Sequence, residues 1–331
     1  MTRGLVLGKF APLHRGHQLL IERSLAVCDE TVVLVYDSPE VTRIPLSVRA
    51  GWVRTLYPRA VVVEGKGAPS ASGHDPRIMR LQEDYIHSVV PLPVTHFFSS
   101  EWYGAHASRS LGAVDIRVDE ARTTVPVSGS LLRSDPFAYR QMVSPVVYRD
   151  LVRWVVLLGA ESTGKSTLTE ALARSLGTVG VAEFGREFWE EHHDAEGKLT
   201  AQQLVELATE HRRREDEAVL NANRVMFVDT DARTTRQYGR WYHGGRVAPA
   251  LEALAQEARC RYHLVVLCGD DIPFADDGTR AGAARRAAAQ AEIRAELTAS
   301  GVDWIEAVGP VSQRAAAVRA ALETRDLLAW C

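Results

Sequence analysis

Two short runs in this chain gather residue types that handle phosphate. The first is Gly8-Lys9-Phe10-Ala11-Pro12-Leu13-His14-Arg15-Gly16-His17, directly after the apolar run Leu5 to Leu7. His14 and His17 flank Gly16 where a helix is expected to start. Two imidazoles and free backbone N–H groups can therefore converge on one anion. Fixed donors of this kind lower the barrier when a phosphate attacks the α-phosphorus of a nucleotide, because charge gathers on the phosphoryl oxygens. Gly16 allows close approach of the chain. The second run, Gly159-Ala160-Glu161-Ser162-Thr163-Gly164-Lys165-Ser166, is a complete G-x-x-x-x-G-K-[ST] phosphate loop. It follows the apolar run Trp154 to Leu158 and precedes a helical pattern from Lys165 to Leu176, the context that gives the motif its meaning. The loop amides of Gly159, Glu161, Ser162, Thr163 and Gly164 would cradle phosphates, with Lys165 reaching bridging oxygens and Ser166 and Thr167 following at the helix start.

Lysine is rare here. Of 39 Lys plus Arg only Lys9, Lys66, Lys165 and Lys198 are Lys, and two of these fall inside the two runs. A compact ammonium is not well replaced by a planar guanidinium at a phosphate. Further on, Val225-Met226-Phe227-Val228-Asp229 is an apolar strand pattern ending in a carboxylate. Asp229 there could orient Mg²⁺ or its water beside the phosphate loop. A strand-end Asp by itself is often only a cap.

The elements that must position these groups alternate. Strand-like runs at Leu5–Leu7, Thr31–Tyr36, Ala60–Val63, Thr95–Phe98 and Val114–Val118 are separated by helical stretches such as Gly16–Val27. Such alternation predicts a parallel sheet with helices on both faces, whose ligands bind beyond the carboxyl ends of the strands. Residues 65–76 are Gly/Ala/Ser/Pro-rich and read as a long loop over that end. A second α/β unit is expected after Pro145, with strands at Trp154–Leu158, Thr178–Ala182 and Val225–Asp229, a helix after Gly185 and a long one from Ala201 to about Leu220. The length, 331 residues, suits two such domains.

A net charge of -3 and a pI near 6.4 do not call for a nucleic-acid partner. Cys28, Cys260, Cys268 and Cys331 show no metal-ligand spacing, and no leader or long apolar span is evident. The expectation is a cytoplasmic protein binding small anionic molecules, with no membrane partner. A homo-oligomer stays open. Arg212-Arg213-Arg214-Glu215-Asp216-Glu217 reads as a solvated, internally paired helix face. For Arg285-Arg286, near Arg280, two readings stay open: closing over a transferring phosphate, or a solvated helix face. His192-His193-Asp194 is expected to be exposed and metal-free.

The first run resembles the signature of the H-x-G-H nucleotidyltransferases, and Val127-Ser128-Gly129-Ser130-Leu131-Leu132-Arg133 is similar to their second motif, S-x-T/S-x-x-R. Ser128 and Ser130 at a helix start would donate to β- and γ-phosphates, with Arg133 one turn on. Ser130 stands where Thr is commoner and Leu131 where Lys is frequent. Followed by a phosphate-loop half, the order resembles the bifunctional NadR-type proteins, which join nicotinamide mononucleotide adenylyltransferase to ribosylnicotinamide kinase. Arg186-Glu187-Phe188, Asp229-Thr230-Asp231 and the run from Phe274 to Arg280 match that family's kinase half, and Arg133 to Tyr139 its linker.

The resemblance implies an N-terminal Rossmann-like nucleotidyltransferase domain, residues 1–148, followed by a P-loop kinase-like α/β domain, residues 149–331. It implies ATP and Mg²⁺ as cofactors. Gly8, Lys9, Phe10, Gly16, Ser128, Ser130 and Arg133 would bind nucleotide around His14 and His17, with Arg49 and Trp102 near the mononucleotide. In the second half Lys165 and Asp229 would act on phosphate, Ser166 and Asp229 would hold the metal, and Arg280 would close over the transferring group. Glu183, Arg186, Glu187 and Asp231 would meet the riboside, and Asp229, Asp231, Glu183 and Glu187 rival one another as the base. No helix-turn-helix domain is expected before Gly8. Other readings are a single-activity enzyme with one degenerate half, an adenylyltransferase for pantetheine phosphate or flavin mononucleotide, and an ATP-dependent regulatory module.

Overall fold

Two stretches of strand-forming residues, each buried on both faces, organise the chain. The computed structural model describes residues 1–71, 73–91, 93–274 and 283–329. These form two compact units, Met1–Tyr148 and Arg149–Ala329.

In chain order the first unit holds β1 (Arg3–Gly8), α1 (Arg15–Val27), β2 (Glu30–Tyr36), α2 (Leu46–Leu56), β3 (Val61–Gly65), α3 (Pro76–Val89), β4 (His96–Ser99), α4 (Gly104–Leu111), β5 (Val114–Arg117) and α5 (Gly129–Ser134). Its sheet has the order β3-β2-β1-β4-β5, all parallel. The chain winds outward through β2 and β3, then returns to place β4 on the other side of β1. The carboxyl end of β1 is thus the switch point where doubly wound sheets bind ligands. Central strands are continuous apolar runs because helices cover both faces. Leu5, Val32, Leu34 and Phe97 are fully buried, and Ile86 of α3 and Ala107 of α4 pack on them.

The boundary falls within α6 (Pro145–Leu151). The second unit follows with β6 (Arg153–Leu158), α7 (Lys165–Leu176), β7 (Gly180–Val181), α8 (Gly185–His192), α9 (Ala201–Ala218), β8 (Val225–Asp229), α10 (Ala232–Tyr242), α11 (Pro249–Arg261), β9 (Leu264–Cys268), α12 (Ala283–Ser300), β10 (Trp304–Ala307) and α13 (Val311–Thr324). Its sheet has the order β10-β9-β6-β8-β7, again parallel. β6 lies at the centre, so the loop after it opens at the second switch point. Val155 and Leu157 of β6, Phe227 of β8 and Val266 of β9 pack against Leu168 and Leu172 of α7 and Val318 and Leu322 of α13. Each such side chain stabilises the fold by about 1.5–3 kcal/mol through burial.

The strand expected at Thr178–Ala182 is shorter than its apolar pattern suggests. Only Gly180–Val181 pair, at the sheet edge; the Thr178 backbone N–H is taken by Ala173 O of α7 at 3.0 Å, and its hydroxyl donates to Val225 O at 2.5 Å. Among the described residues no helix is long and apolar enough to cross a membrane.

Candidate functional site

In the first unit the H-x-G-H run builds its own helix start. His14 is the N-cap of α1; its Nδ1 accepts the backbone N–H of His17 at 3.3 Å, and the Nδ1 of His17 accepts the backbone N–H of His14 at 3.3 Å. This is a capping box made of imidazoles, satisfying two of the donors that a helix start leaves over. The rings stack with centroids 3.6 Å apart. Burial, with Arg122 and Arg133 nearby, holds the His14 imidazole down at about 4. Burial also holds His17 well below its usual value, reinforced by His14 and Arg133. Both rings are therefore neutral at pH 7. An Nδ1 that accepts carries no proton, so each ring is left with its proton on Nε2 as a donor. The first turn of α1 has no acidic residue, which leaves the positive end of the helix dipole for an anion.

Several neighbours hold this arrangement. A Cβ on Gly16 would meet His14 Cε1 at 3.1 Å and Nδ1 at 3.2 Å, so glycine is what lets the ring lie there. Phe10, expected to touch ligand, is fully buried at φ 47° and presents its ring edge-on to His17, centroids 4.8 Å apart. A Cβ on Gly8 would touch that same Phe10 ring at 3.3 Å. Arg49, expected at the mononucleotide, is 1% exposed; its guanidinium donates to Lys9 O at 2.5 Å, Tyr36 O at 2.6 Å and Ile44 O at 3.0 Å. Its donors tie the loop between β1 and α1 to the end of β2 and to the segment before α2, so its contribution is to hold these segments together. Lys9 itself reaches Glu40 at 3.1 Å.

The second motif comes to the first through Arg133. Its Nη1 donates to Ala11 O at 3.4 Å and its Nη2 to Ser130 Oγ at 3.1 Å. Ser128 is the N-cap of α5, accepting Leu131 N–H at 3.1 Å. Trp102 is 40% exposed and stacks on His74 from the loop between β3 and α3, centroids 3.8 Å apart. Trp52, by contrast, is core.

In the second unit the loop between β6 and α7 needs unusual backbone. Gly159 has φ 150°, Ser162 φ 58° and Gly164 φ 79°. A Cβ on Gly159 would stand 2.9 Å from Cys268 O, closer than packing allows. Lys165, 8% exposed, spans the loop to Ala160 O at 3.1 Å, and Thr163 Oγ1 donates to the same oxygen at 2.8 Å. Ser166 and Thr167 face a cavity of about 870 Å³ that the whole run Gly159–Thr167 helps to line. Glu161 accepts the Tyr238 hydroxyl at 2.6 Å.

Four carboxylates were rivals on sequence alone, and their surroundings separate them. Asp231 caps α10, and its oxygens take Arg233 N at 2.8 Å, Nε at 2.9 Å and Nη2 at 2.7 Å. That pairing with a residue two positions on gives Asp231 a capping and ion-pairing role. Glu187 sits on α8 beside Arg214, 3.5 Å away, outside the cavity wall. Glu183 lines the cavity, as does Arg186. Asp229 is fully buried at the end of β8, and neither of its oxygens has a hydrogen-bonding partner. Burial raises its carboxyl to about 6, with Lys165 opposing and Glu183 reinforcing the shift.

A buried carboxylate left without a partner, near the hydroxyl of Ser166, is the donor chemistry that a hard cation such as Mg²⁺ takes. Among the described residues no group of three or more His, Cys, Asp or Glu side chains could hold a metal. Arg280 lies outside the described residues.

Sequence reasoning left Arg285 and Arg286 either closing over the transferring phosphate or on a solvated helix face, and Arg286 is not on a solvated face. It is buried, donating Nη2 to Ser162 O at 3.1 Å and Ile272 O at 3.0 Å, while Arg285 lies over the Trp241 ring at 4.5 Å. In the Arg212–Glu217 run Arg213 bridges Glu210 and Glu217 on the surface as read, but Glu215 is buried and takes Arg261 Nε at 2.7 Å and the Tyr262 hydroxyl at 2.9 Å, so the run is not a solvated face throughout. Arg314 and Gln290, both buried against the phosphate loop, carry no sequence signal because they sit in Ala/Arg-rich helices without a motif.

Comparison with known proteins places this chain in a family. Residues 154–314 match a family model described as an AAA domain. The trifunctional NAD biosynthesis/regulator protein NadR of Escherichia coli (strain K12) is 30% identical over 298 residues, covering 84% of this chain and 72% of that protein. The chain belongs to the NadR family. The NadR protein of Salmonella typhimurium (strain LT2), described in the same words, is 31% identical over 296 residues, covering 84% of this chain and 71% of its own. Two NadR crystal structures share the fold. One, described as a complex with NAD and AMP-PNP, is 21% identical with a TM-score of 0.58. The other, described as a complex with NR, is 23% identical with a TM-score of 0.60. Each covers 97% of this chain, and this chain covers 95% of each NadR structure.

Proposed function

We propose that this NadR-family chain is a bifunctional enzyme of NAD biosynthesis. The unit Arg149–Ala329 would transfer the γ-phosphate of ATP to the 5′-hydroxyl of ribosylnicotinamide, giving nicotinamide mononucleotide and ADP. The unit Met1–Tyr148 would join that mononucleotide to the α-phosphorus of a second ATP, giving NAD and pyrophosphate. The observation that carries the reading is that each unit has a motif suited to phosphate at the carboxyl end of its own central strand, the His14–His17 pair after β1 and the Lys165 loop after β6. The relatives, described as NAD biosynthesis proteins, and the NadR complexes described with NAD, AMP-PNP and NR support the choice of substrates.

At the kinase site Lys165 and the loop amides would hold the phosphates, and Ser166 and Asp229 would hold Mg²⁺. The ion would supply charge neutralisation across the β- and γ-phosphates. Glu183 is the one of the four rival carboxylates on the cavity wall, so it is assigned to receive the hydroxyl proton. At the adenylylation site the attacking phosphate is already ionised and needs no strong base. The Nε2–H groups of His14 and His17, with Arg133, would bind the oxygens on which charge builds. Catalysis there is placement plus charge stabilisation.

The test is to supply ATP and Mg²⁺ with either ribosylnicotinamide or nicotinamide mononucleotide and resolve the products. NAD from both substrates is expected. Mononucleotide accumulating without NAD would leave a kinase alone, and a preference for pantetheine phosphate as acceptor would overturn the nicotinamide assignment.

A further inference from the structure

We propose that Arg314, at the start of α13, is a positioning residue for the phosphate loop of the second unit, holding the loop's carbonyls outward so that its N–H groups face the nucleotide. The proposal rests on the kinase reading of that loop and adds a residue that no motif marks. Arg314 is 2% exposed. Its Nη1 donates to Thr163 O at 2.7 Å, its Nη2 to Gly269 O at 3.1 Å and Asp271 Oδ1 at 2.6 Å, and its Nε to Gly309 O at 2.7 Å. One guanidinium thus ties the phosphate loop to the ends of β9 and β10.

A peptide unit is planar, so fixing the direction of a carbonyl fixes the N–H of the following residue on the opposite side. Pulling Thr163 O toward Arg314 therefore turns the N–H of Gly164 away from it. α12 grips the same loop twice more. Arg286 Nη2 donates to Ser162 O at 3.1 Å, which turns the Thr163 N–H in the same way. Gln290 Oε1 accepts Ala160 N at 2.9 Å while its Nε2 donates to Cys268 O at 2.8 Å. Ala160 N is consumed by this bridge. A Cβ built on Gly164 would stand 3.9 Å from Arg314 Nη1, so the fixed cation also lies directly beneath the anion-binding turn. Its partner carboxylate, Asp271, is 39% exposed and partly screened by solvent.

Charge and geometry can be separated. Lysine at this position keeps the charge but cannot span four acceptors from one planar fork, and methionine keeps the bulk and loses both. The experiment uses the full chain: Mg²⁺-ATP affinity by calorimetry for wild type, Arg314→Lys, Arg314→Met and Asp271→Asn, then riboside phosphorylation with both KM values. Adenylylation of supplied mononucleotide and the thermal midpoint serve as controls. Arg314→Lys is expected to lose about 10- to 100-fold in kcat/KM for ATP, as expected when reacting groups are misplaced by a fraction of an ångström to one ångström. The riboside KM and adenylylation should not change. Arg314→Met should lose more, and Asp271→Asn less, in the same direction and with an unchanged thermal midpoint.

ATP affinity and kinetics within twofold of wild type in a folded Arg314→Lys or Arg314→Met would overturn the proposal. So would parallel rises in both KM values, the sign of general loosening. Should both arginine variants fail to fold, Asp271→Asn decides: unchanged ATP kinetics there would also overturn it. A wild type that binds ATP yet phosphorylates no riboside overturns the functional reading alone, and the calorimetric comparison then still decides the role of Arg314.

Discussion

Burial acts on the titrating groups of both units in the same direction, toward their neutral forms. For His14 and His17 the consequence is a pair of uncharged donors, because the capping box has already spent each Nδ1. For Asp229 the consequence is a carboxylate kept ionised at a cost until something coordinates it. The sign follows from linkage. With its folded value near 6 and its ordinary value at 3.8, the native state binds more protons than the unfolded chain between those limits. The contribution of Asp229 to stability therefore falls as pH rises from about 4 to about 6 and stays low above that. Asp229→Asn should raise the thermal midpoint of the ligand-free protein at pH 7.5, by on the order of 2 kcal/mol in stability. That gain should vanish near pH 4, and phosphorylation should be lost. A variant no more stable than wild type at pH 7.5 would mean that the buried carboxylate is already satisfied.

At the scale of elements, what could be read in advance was the strand-loop-helix unit, and what could not was the partner of each polar side chain. GKFAPLHRGH and GAESTGKS revealed their loops because glycine and lysine positions there are dictated by backbone shape and by phosphate, both local to the motif. The fates of Arg49 and Asp231 were not legible. Arg49 is taken by Lys9 O, forty residues earlier, and Asp231 by Arg233, through a cap that any Asp could make. Arg314 was invisible for the opposite reason, since its partners lie up to 151 residues away. Thr178 was misread because it is a β-branched residue that favours a strand, yet its backbone N–H is here taken by Ala173 O of α7.

Gly16 tests the local kind of information. Alanine is the better helix former, and α1 gains propensity from the change. The added Cβ, however, lands 3.1 Å from the His14 ring and must displace it. Gly16→Ala is therefore expected to leave the protein folded and at least as resistant to heat, while adenylylation falls about tenfold or more through misplacement of the imidazole. Full adenylylation in that variant would show that the ring's position is not needed.

The two units each carry a parallel sheet with a switch point of its own, and each site draws its side chains from its own unit: His14, His17, Ser130 and Arg133 in one, Lys165, Ser166, Glu183 and Asp229 in the other. On the proposed function the two belong in sequence, since the phosphate made at one site would be the nucleophile needed at the other. The side chains named for each site come from one unit, so damage should be separable. Lys165→Ala removes the ammonium that spans the phosphate loop and should lower riboside phosphorylation about 100-fold or more, with adenylylation of supplied mononucleotide intact. His17→Ala removes an Nε2–H donor and half of the capping box, and should do the reverse. Mixing the two variants should then restore NAD formation from ribosylnicotinamide, because the mononucleotide released by one protein is substrate for the other. If either variant, folded by its thermal transition, had lost both activities, or if the mixture failed to make NAD, the two sites would not be independent and the two-step reading would fail.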